Sequence, residues 1–358
     1  MNNTCINKYK SGHSPISRDV FINNQADVAI ARRITLHIAE QAGFNQRLCA
    51  KISIIISEIG TNLVKHTKEG GLLKINLSFL NHIPFLTIAS FDKGPGITSI
   101  KKAMVDGISA TNTLGTGLGA IYRLSNRVAI CSNKDVSKPC PFIFDKKDWS
   151  TILVCQIWDE ENPLPLIVDE LDFSCLLEPM EGNSICGDAV HMVSTPFFTR
   201  IMLMDGSGRG NGAAEAVCKA IKVLDRIPAE MPLNYVIDTL ESPLSDTQGM
   251  SMLILKFDHR SKKLHIYGNG SLKLILGLDD NLHYFLHVSD FLKLREPIDV
   301  INYNSVFAIT YTDGVGRIST FRDNDMLKDI SSLIWTQLLF KHNNIKDDAA
   351  MLVVKWKI

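Results

Sequence analysis

Apolar positions recur every three or four residues along two N-terminal stretches. From about Gln25 to Gly43 they align Ile30, Ile34, Ile38 and Ala42 in one stripe. From about Gln46 to His66 they align Ile52, Ile55, Ile56, Ile59 and Leu63. This spacing predicts two amphipathic helices, with Gly43 and Asn45 punctuating between them. The pattern then changes to strands: Leu72–Leu80 and Phe85–Phe91, joined as a hairpin through Asn81-His82-Ile83-Pro84. A short strand at Ser17–Ile22, a helix through Leu118–Leu124 and strands near Arg127–Ser132 and Thr151–Trp158 complete this block. It predicts an α/β sandwich with helices on one face of a mixed sheet.

The acidic, proline-bearing stretch Asp159–Pro165 reads as a linker. Beyond it the chain is strand-rich. Ser184–Thr195 and Phe198–Asp205 are adjacent strands, and Met250–Asp258 with Lys263–Tyr267 form a hairpin pair. Leu272–Leu276, Val306–Tyr311 and Ala350–Lys355 are further strands. Ala213, Ala216, Val217, Ala220, Ile221 and Leu224 mark a helix within Gly210–Arg226, and Leu327–Phe340 is a second. This is the pattern of a β-sandwich with flanking helices. The fold class is α+β in two domains: a tail over 1–16, a first domain over 17–158, a linker over 159–180 and a second domain over 181–358.

The 358 residues, 45% of them hydrophobic, suit two buried cores. Lys+Arg and Asp+Glu both number 38, which leaves no electrostatic footprint for nucleic acid or an anionic membrane. The eight cysteines are scattered without a C-x-x-C pair and read as reduced, mostly buried small hydrophobes. The polar N-terminus has no signal-peptide core, and no apolar run is long enough to span a bilayer. A cytoplasmic protein is expected.

Glu58, Asn62 and His66 stand at i, i+4 and i+8, on nearly one face of the second helix. A carboxylate there can orient or deprotonate a nucleophile, and an Asn amide oxygen can ligate Mg²⁺. Taken alone, the trio reads more readily as the polar face of an ordinary amphipathic helix. Asp92 follows an apolar strand and precedes Gly94 and Gly96, so a carboxylate could accept from an adenine amino group beside close backbone; the same string also makes a good turn. Gly115-Thr116-Gly117-Leu118-Gly119 precedes a helix, where successive N–H groups make an anion site. In the second half Asp188, Asp205, Asp313 and Asp347 or Asp348 each lie at a strand end. Such gathered carboxylates suit hard divalent ions, which can activate water for attack on phosphorus.

The Glu58–His66 stretch resembles the N-box of the GHKL ATPases. Asp92–Ile97 resembles their D-x-G-x-G box, and Leu114–Gly119 their second glycine box. Asp106-Gly107 strengthens the likeness to RsbT-like anti-sigma-factor serine kinases, which covers about residues 17–158. The resemblance implies a Bergerat-type fold that binds Mg²⁺·ATP. Glu58 would be the base, Asn62 the Mg²⁺ ligand, Asp92 the adenine reader, and Gly94, Gly96, Gly115, Thr116, Gly117, Leu118 and Gly119 the nucleotide cradle. His66 is left as structural or as part of the rim.

Met204-Asp205-Gly206-Ser207-Gly208-Arg209-Gly210 before an Ala-rich helix, with Thr312-Asp313-Gly314 and Asp347-Asp348, resembles the SpoIIE-like branch of the PPM phosphatases. Asn269-Gly270 matches a turn of that family. The likeness covers about residues 180–358 and implies an αββα sandwich with two Mn²⁺ or Mg²⁺ ions. Asp188 and Asp205 would be ligands shared by both ions, Gly206 a carbonyl ligand, and Asp313 and Asp347 further ligands, with Asp347 favoured over Asp348. Ala349-Ala350 replaces the Thr or Ser that often follows the acidic pair in that family.

Together the resemblances imply a partner-switching regulator. It would phosphorylate and dephosphorylate Ser or Thr of a STAS-domain anti-sigma-factor antagonist, act indirectly on a sigma or anti-sigma factor, and be compatible with a homodimer. The alternatives are a phosphatase with an ATP-sensing, non-kinase first domain, and a non-catalytic module that binds a sigma factor or antagonist.

Overall fold

The computed structural model describes residues 14–104, 117–136, 149–165, 170–183, 185–279, 281–285, 298–318, 330–342 and 347–357. The first unit contains β1 (Ile16–Ile22), α1 (Gln25–Gln41), α2 (Gln46–His66), β2 (Gly71–Leu80), β3 (Ile83–Asp92), α3 (Ile100–Ala103), α4 (Gly117–Leu124), β4 (Arg127–Ser132) and β5 (Thr151–Ile157). Its strands form sheet I in the order β1-β2-β3-β5-β4. Every pairing in it is antiparallel, so the expected mixed sheet is corrected: only β2 and β3 form a tight hairpin, and the long connections, including the one through both helices from β1 to β2, also return the chain antiparallel.

Helix α1 starts in a capping box, in which Asn24 accepts from the Ala26 and Asp27 N–H groups and Asp27 from Asn24. Its buried face is Val28, Ala31, Thr35, Ile38 and Ala39, rotated from the expected stripe; Ile30 is 47% exposed. The cause is Gly60 on α2. A Cβ there would stand 2.7 Å from Val28 Cγ1, so the missing side chain lets the helices close on Val28. The turn between β2 and β3 is the two residues Asn81 and His82, both at positive φ (50° and 63°), which matches the right-handed twist of the strands.

The second unit contains β6 (Leu171–Glu178), β7 (Asp188–Ser194), β8 (Phe198–Gly206), α5 (Asn211–Leu224), α6 (Leu233–Leu244), β9 (Met250–Asp258) and β10 (Lys263–Asn269). It continues with β11 (Lys273–Leu278), β12 (Asn281–Phe285), β13 (Ile298–Asp299), β14 (Ser305–Tyr311), α7 (Ser332–Leu339) and β15 (Ala349–Lys357). Sheet II runs β12-β11-β14-β15-β6 and sheet III runs β13-β10-β9-β8-β7. They face each other across a core that includes Val190, Leu203, Leu255, Leu274, Leu352 and Trp356. Helices α5 and α6 cover the far side of sheet III, and α7 lies on sheet II. The expected linker over 159–180 contains β6: its acidic and proline signals end at Pro165, and Leu171, Phe173, Cys175 and Leu177 alternate into the sandwich. Helix α6 was not legible in the sequence, where Pro243 interrupts its pattern. Cys131 is disulfide-bonded, an exception to the all-reduced expectation.

The inner strands β3 and β5 of sheet I are buried on both faces. Helices α1 and α2 cover one face. The other meets the second unit: Ala89, Phe91, Ile152 and Val154 share a core with Trp335 and Leu339 of α7 and with Ile309 and Val353 of sheet II. Polar groups fasten the seam. Arg127 of β4 donates through Nη2 to Asp172 Oδ1 at 2.6 Å and through Nη1 to Phe173 O at 2.5 Å. Asp172 also accepts the Ser332 N–H and hydroxyl, both at 2.7 Å, at the start of α7. At the hairpin tip, Asn81 pairs with both backbone groups of Met192, accepting at 2.7 Å and donating at 2.5 Å. That amide occupies the open edge of β7, which would otherwise present unpaired backbone. Among the described residues no helix is long and apolar enough to cross a membrane.

Replacing Arg127 with Ala leaves Asp172 without its cation at the seam and is expected to lower the unfolding free energy by about 3 kcal/mol. Urea unfolding followed by tryptophan fluorescence measures this; a loss under about 0.5 kcal/mol removes the ion pair as a fastening element.

Candidate nucleotide and metal sites

Glu58 and Asn62 lie one turn apart on α2, and the N-terminus of α4 rests on both. A Cβ on Gly117 would stand 2.8 Å from Glu58 Oε2 and 3.6 Å from Asn62 Oδ1. Asp92 ends β3, between the starts of β2 and β5 (Gly71 and Thr151). Its Oδ1 accepts the Gly94 N–H at 2.7 Å. A Cβ on Gly94 would lie 2.8 Å from His66 O, so the loop is pressed on the end of α2. Gly96 has φ +78°, and its Cβ would meet the Lys134 side chain at 2.7 Å. The Ile97 N–H donates to the buried Ser132 hydroxyl at 2.7 Å, which ties the loop to β4.

Glu58, Asn62, Asp92, Gly94, Gly96 and Gly117 therefore surround one end of sheet I. Leu118 packs partly into the first core and Gly119 is buried. Leu114, Gly115, Thr116, Asp106 and Gly107 lie outside the described residues. Burial raises the Asp92 pKa, opposed by the Gly94 N–H and by His66. His66 is thus an electrostatic neighbour on the rim. Among the described residues only Oδ1 of Asp92 is engaged, so Oδ2 can accept a hydrogen bond from a base. The cradle, the carboxylate and the Asn amide fit a nucleotide with a hard cation.

The second site gathers at strand ends between sheets II and III. Asp188 opens β7 directly opposite Asp205 on β8, and the two carboxyl groups repel as like charges. Asp188 is 3% exposed, and its Oδ2 accepts from the Thr312 hydroxyl at 2.9 Å. That hydroxyl also accepts the Ala350 N–H at 2.9 Å, so Thr312 joins β14, β15 and Asp188. Thr312 stands inside the string Thr312-Asp313-Gly314, where sequence reasoning left it without a role. Gly206 backs onto α5, where a Cβ would collide with the Ala213 carbonyl. A Cβ on Gly314 would likewise strike the Asp348 carbonyl, so the Asp313 loop lies flat on the start of β15.

The two acidic neighbours at 347 and 348 separate by environment. Asp348 is 6% exposed and spends both oxygens on backbone, accepting the Met180 and Gly187 N–H groups at 2.7 Å each. The Asp347 carboxyl is raised by burial and by the nearby Asp313 charge, while Arg209 opposes the rise. Burial, then Asp205 and Asp348, push Asp188 well above the usual carboxylate range, against the Thr312 hydrogen bond. Asp205 is pushed up to about 7 by burial and by Asp313 and Asp347. Among the described residues no three His, Cys, Asp or Glu side chains converge tightly enough to enclose an ion by themselves. The carboxylates instead form a partly buried set of like charges, and a divalent cation is the chemical complement of such a set. Asp188 also lines a crevice whose opposite wall is Pro15, Phe79 and His82 of the first unit.

Residues 21–163 match the family model described as a histidine kinase-like ATPase domain. The serine/threonine-protein kinase RsbT of Bacillus subtilis (strain 168) is 32% identical over 113 residues, which cover 32% of this chain and 84% of RsbT. Among solved structures, RsbX in complex with magnesium aligns at TM-score 0.43 and 20% identity, over 53% of this chain and 97% of that one. The phosphatase domain of SpoIIE from Bacillus subtilis, with a fragment of its regulatory domain, aligns at TM-score 0.41 and 14% identity, over 76% and 79%. The case for the second unit rests on its own sheets and carboxylates. Through its N-terminal unit, this chain belongs to the histidine kinase-like ATPase family, alongside the RsbT serine/threonine kinases.

Proposed function

We propose that this protein sets the phosphorylation level of a Ser or Thr on a STAS-domain partner, adding phosphate at the α2–α4 site and removing it at the Asp188–Asp205 site. The reading is carried by one observation: both constellations occur in one chain whose two units share a core around α7. In the kinase unit, Asp92 would hold the adenine amino group and the N-terminus of α4 at Gly117 would hold the phosphates. Asn62 would offer an oxygen to Mg²⁺, which when bound supplies neutralisation of phosphate charge. Glu58 would take the proton of the acceptor hydroxyl.

In the phosphatase unit, Asp188 and Asp205 would hold two divalent ions jointly, with the Gly206 carbonyl, Asp313 and Asp347 as outer ligands. Those ions, when bound, supply Lewis-acid activation of water and charge neutralisation for hydrolysis of a phosphate monoester. Asp348 stays out of the ligand set and holds the Met180 and Gly187 backbone in place. Thr312 aims Asp188. A cytoplasmic location and an indirect effect on a sigma factor belong to this proposal. The direct packing of sheet I on the phosphatase strands favours, as a second reading, a first unit that senses ATP without transferring phosphate.

The raised carboxylates make the metal requirement testable. An acid whose pKa is higher folded than unfolded binds its proton more tightly when folded, so its stability contribution is complete below the unfolded value. For Asp205 it is lost as pH rises from about 4 to about 7. The metal-free protein should therefore unfold at lower temperature at pH 8 than at pH 5. Mn²⁺ should raise the midpoint more at pH 8, and Asp205→Asn should stabilise the metal-free protein at pH 8 by on the order of 2 kcal/mol. Thermal unfolding with EDTA or Mn²⁺ measures all three, and an equal Mn²⁺ effect at both pH values rules out the carboxylate site.

Activity is tested with labelled ATP, a STAS-domain substrate and Mg²⁺ or Mn²⁺. Transfer should fall by on the order of 10²-fold or more in Asn62→Ala, and release from the phosphorylated partner by a similar factor in Asp205→Ala. Release without transfer would leave the ATP-sensing phosphatase. Loss of both activities from the wild type would leave a binding module.

A further inference from the structure

His342 stands where the loops carrying Asp313 and Asp347 meet. Its backbone bridges Val315, two residues after Asp313, and the Gly316 N–H donates to Lys341 O at 2.8 Å. Its Nε2 lies 2.8 Å from the Asp347 carbonyl oxygen and its Nδ1 3.1 Å from Glu178 Oε2. The two contacts fix the orientation of the ring between the Asp347 loop and the end of β6. Glu178 closes β6 directly opposite Ala349, the first residue of β15.

The chain of contacts continues into the first unit. Glu178 faces Ser17 on β1, which packs beside β6, and the Ser17 hydroxyl accepts from Asn76 Nδ2 of β2 at 2.9 Å. Lys74, two residues before Asn76 on the same face of β2, adds positive charge. Burial by itself would raise the Glu178 pKa; His342, Ser17 and Lys74 together hold it below the usual carboxylate range.

We propose that His342 is a positioning residue of the phosphatase site, fastening the Asp313 and Asp347 loops to each other and, through Glu178 and Ser17, to the ATPase sheet. The proposal rests on the reading of the carboxylate cluster as a divalent-ion site. Its physical basis is geometric: the ring of His342 contacts the Asp347 carbonyl while its backbone bridges Val315 in the Asp313 loop, so one residue fixes both carboxylate-bearing loops. On this account metal affinity in the second unit depends on the docked first unit, by a route separate from the nucleotide pocket.

The test compares full-length wild type with His342→Ala, Glu178→Gln and Ser17→Ala at one pH. Mn²⁺ affinity is read by calorimetry and thermal shift, p-nitrophenyl phosphate hydrolysis is followed across Mn²⁺ concentrations, and ATP binding serves as a control. His342→Ala should weaken Mn²⁺ binding by about tenfold or more, with hydrolysis recovering at saturating Mn²⁺ and KM for the phosphate ester unchanged. Ser17→Ala and Glu178→Gln should shift Mn²⁺ affinity in the same direction by a smaller factor and leave ATP binding unaltered.

Mn²⁺ affinities within about twofold of wild type in His342→Ala and Ser17→Ala would overturn the proposal alone. Hydrolysis that stays depressed at saturating Mn²⁺ would also overturn it. If His342→Ala does not fold, Glu178→Gln and Ser17→Ala decide by the same criterion. A wild type that neither binds Mn²⁺ nor hydrolyses the ester would overturn the phosphatase reading, and this inference with it.

Discussion

Helix α7 has no solvent face. Ser332, Leu333, Ile334, Trp335, Thr336 and Gln337 are all buried, because sheet I lies on one side of the helix and sheet II on the other. A helix apolar or closed on every side is stable only inside a core. Here that core is built by both units at once. Its N-terminus is closed by Asp172, and Asp172 is held by Arg127 from sheet I. The seam is thus a packed interior with a satisfied polar lock, and it sets where the ends of β6, β14 and β15 can lie. Those ends carry Glu178, Asp313 and the 347–348 pair.

The acidic site shows the opposite balance. Apolar packing brings Asp188, Asp205, Asp313 and Asp347 together although like charges in a poorly hydrated place repel. The fold resists that repulsion with neutral donors: Thr312 to Asp188, and the Met180 and Gly187 N–H groups to Asp348. Among the described residues, Arg209 acts on Asp347 and His342 on Asp348, each opposing the rise in the carboxyl pKa. A site assembled in this way is poised for an added cation.

Much of this was legible from local pattern. The 3.6-residue period gave α2 over Gln46–His66, and the turn residues gave the β2–β3 hairpin. The helical spacing of Ala213, Ala216, Val217, Ala220, Ile221 and Leu224 matches the buried face of α5. The buried stripe of α1 was misjudged because it depends on a glycine on another helix. Strand β6 went unseen beside the acidic, proline-bearing stretch that precedes it, and helix α6 because Pro243 interrupts its pattern. Thr312 and His342 carried no signal, since a hydroxyl or an imidazole acquires a role only from what faces it.

The sequence by itself determined the chemistry on offer: which carboxylates, amides and glycines exist, that Glu58 and Asn62 share one helix face, and that Asp92, Asp188 and Asp205 lie at strand ends. Local periodicity and turn preference suffice for that. The tertiary structure decided which of them meet. It set Gly117 over Glu58 and Asn62, and it committed Asp348 to backbone while Asp347 faced Asp313. It also buried the second face of sheet I against α7. These outcomes depend on contacts between residues far apart in the chain, and no local pattern encodes which distant surface will exclude water from which face.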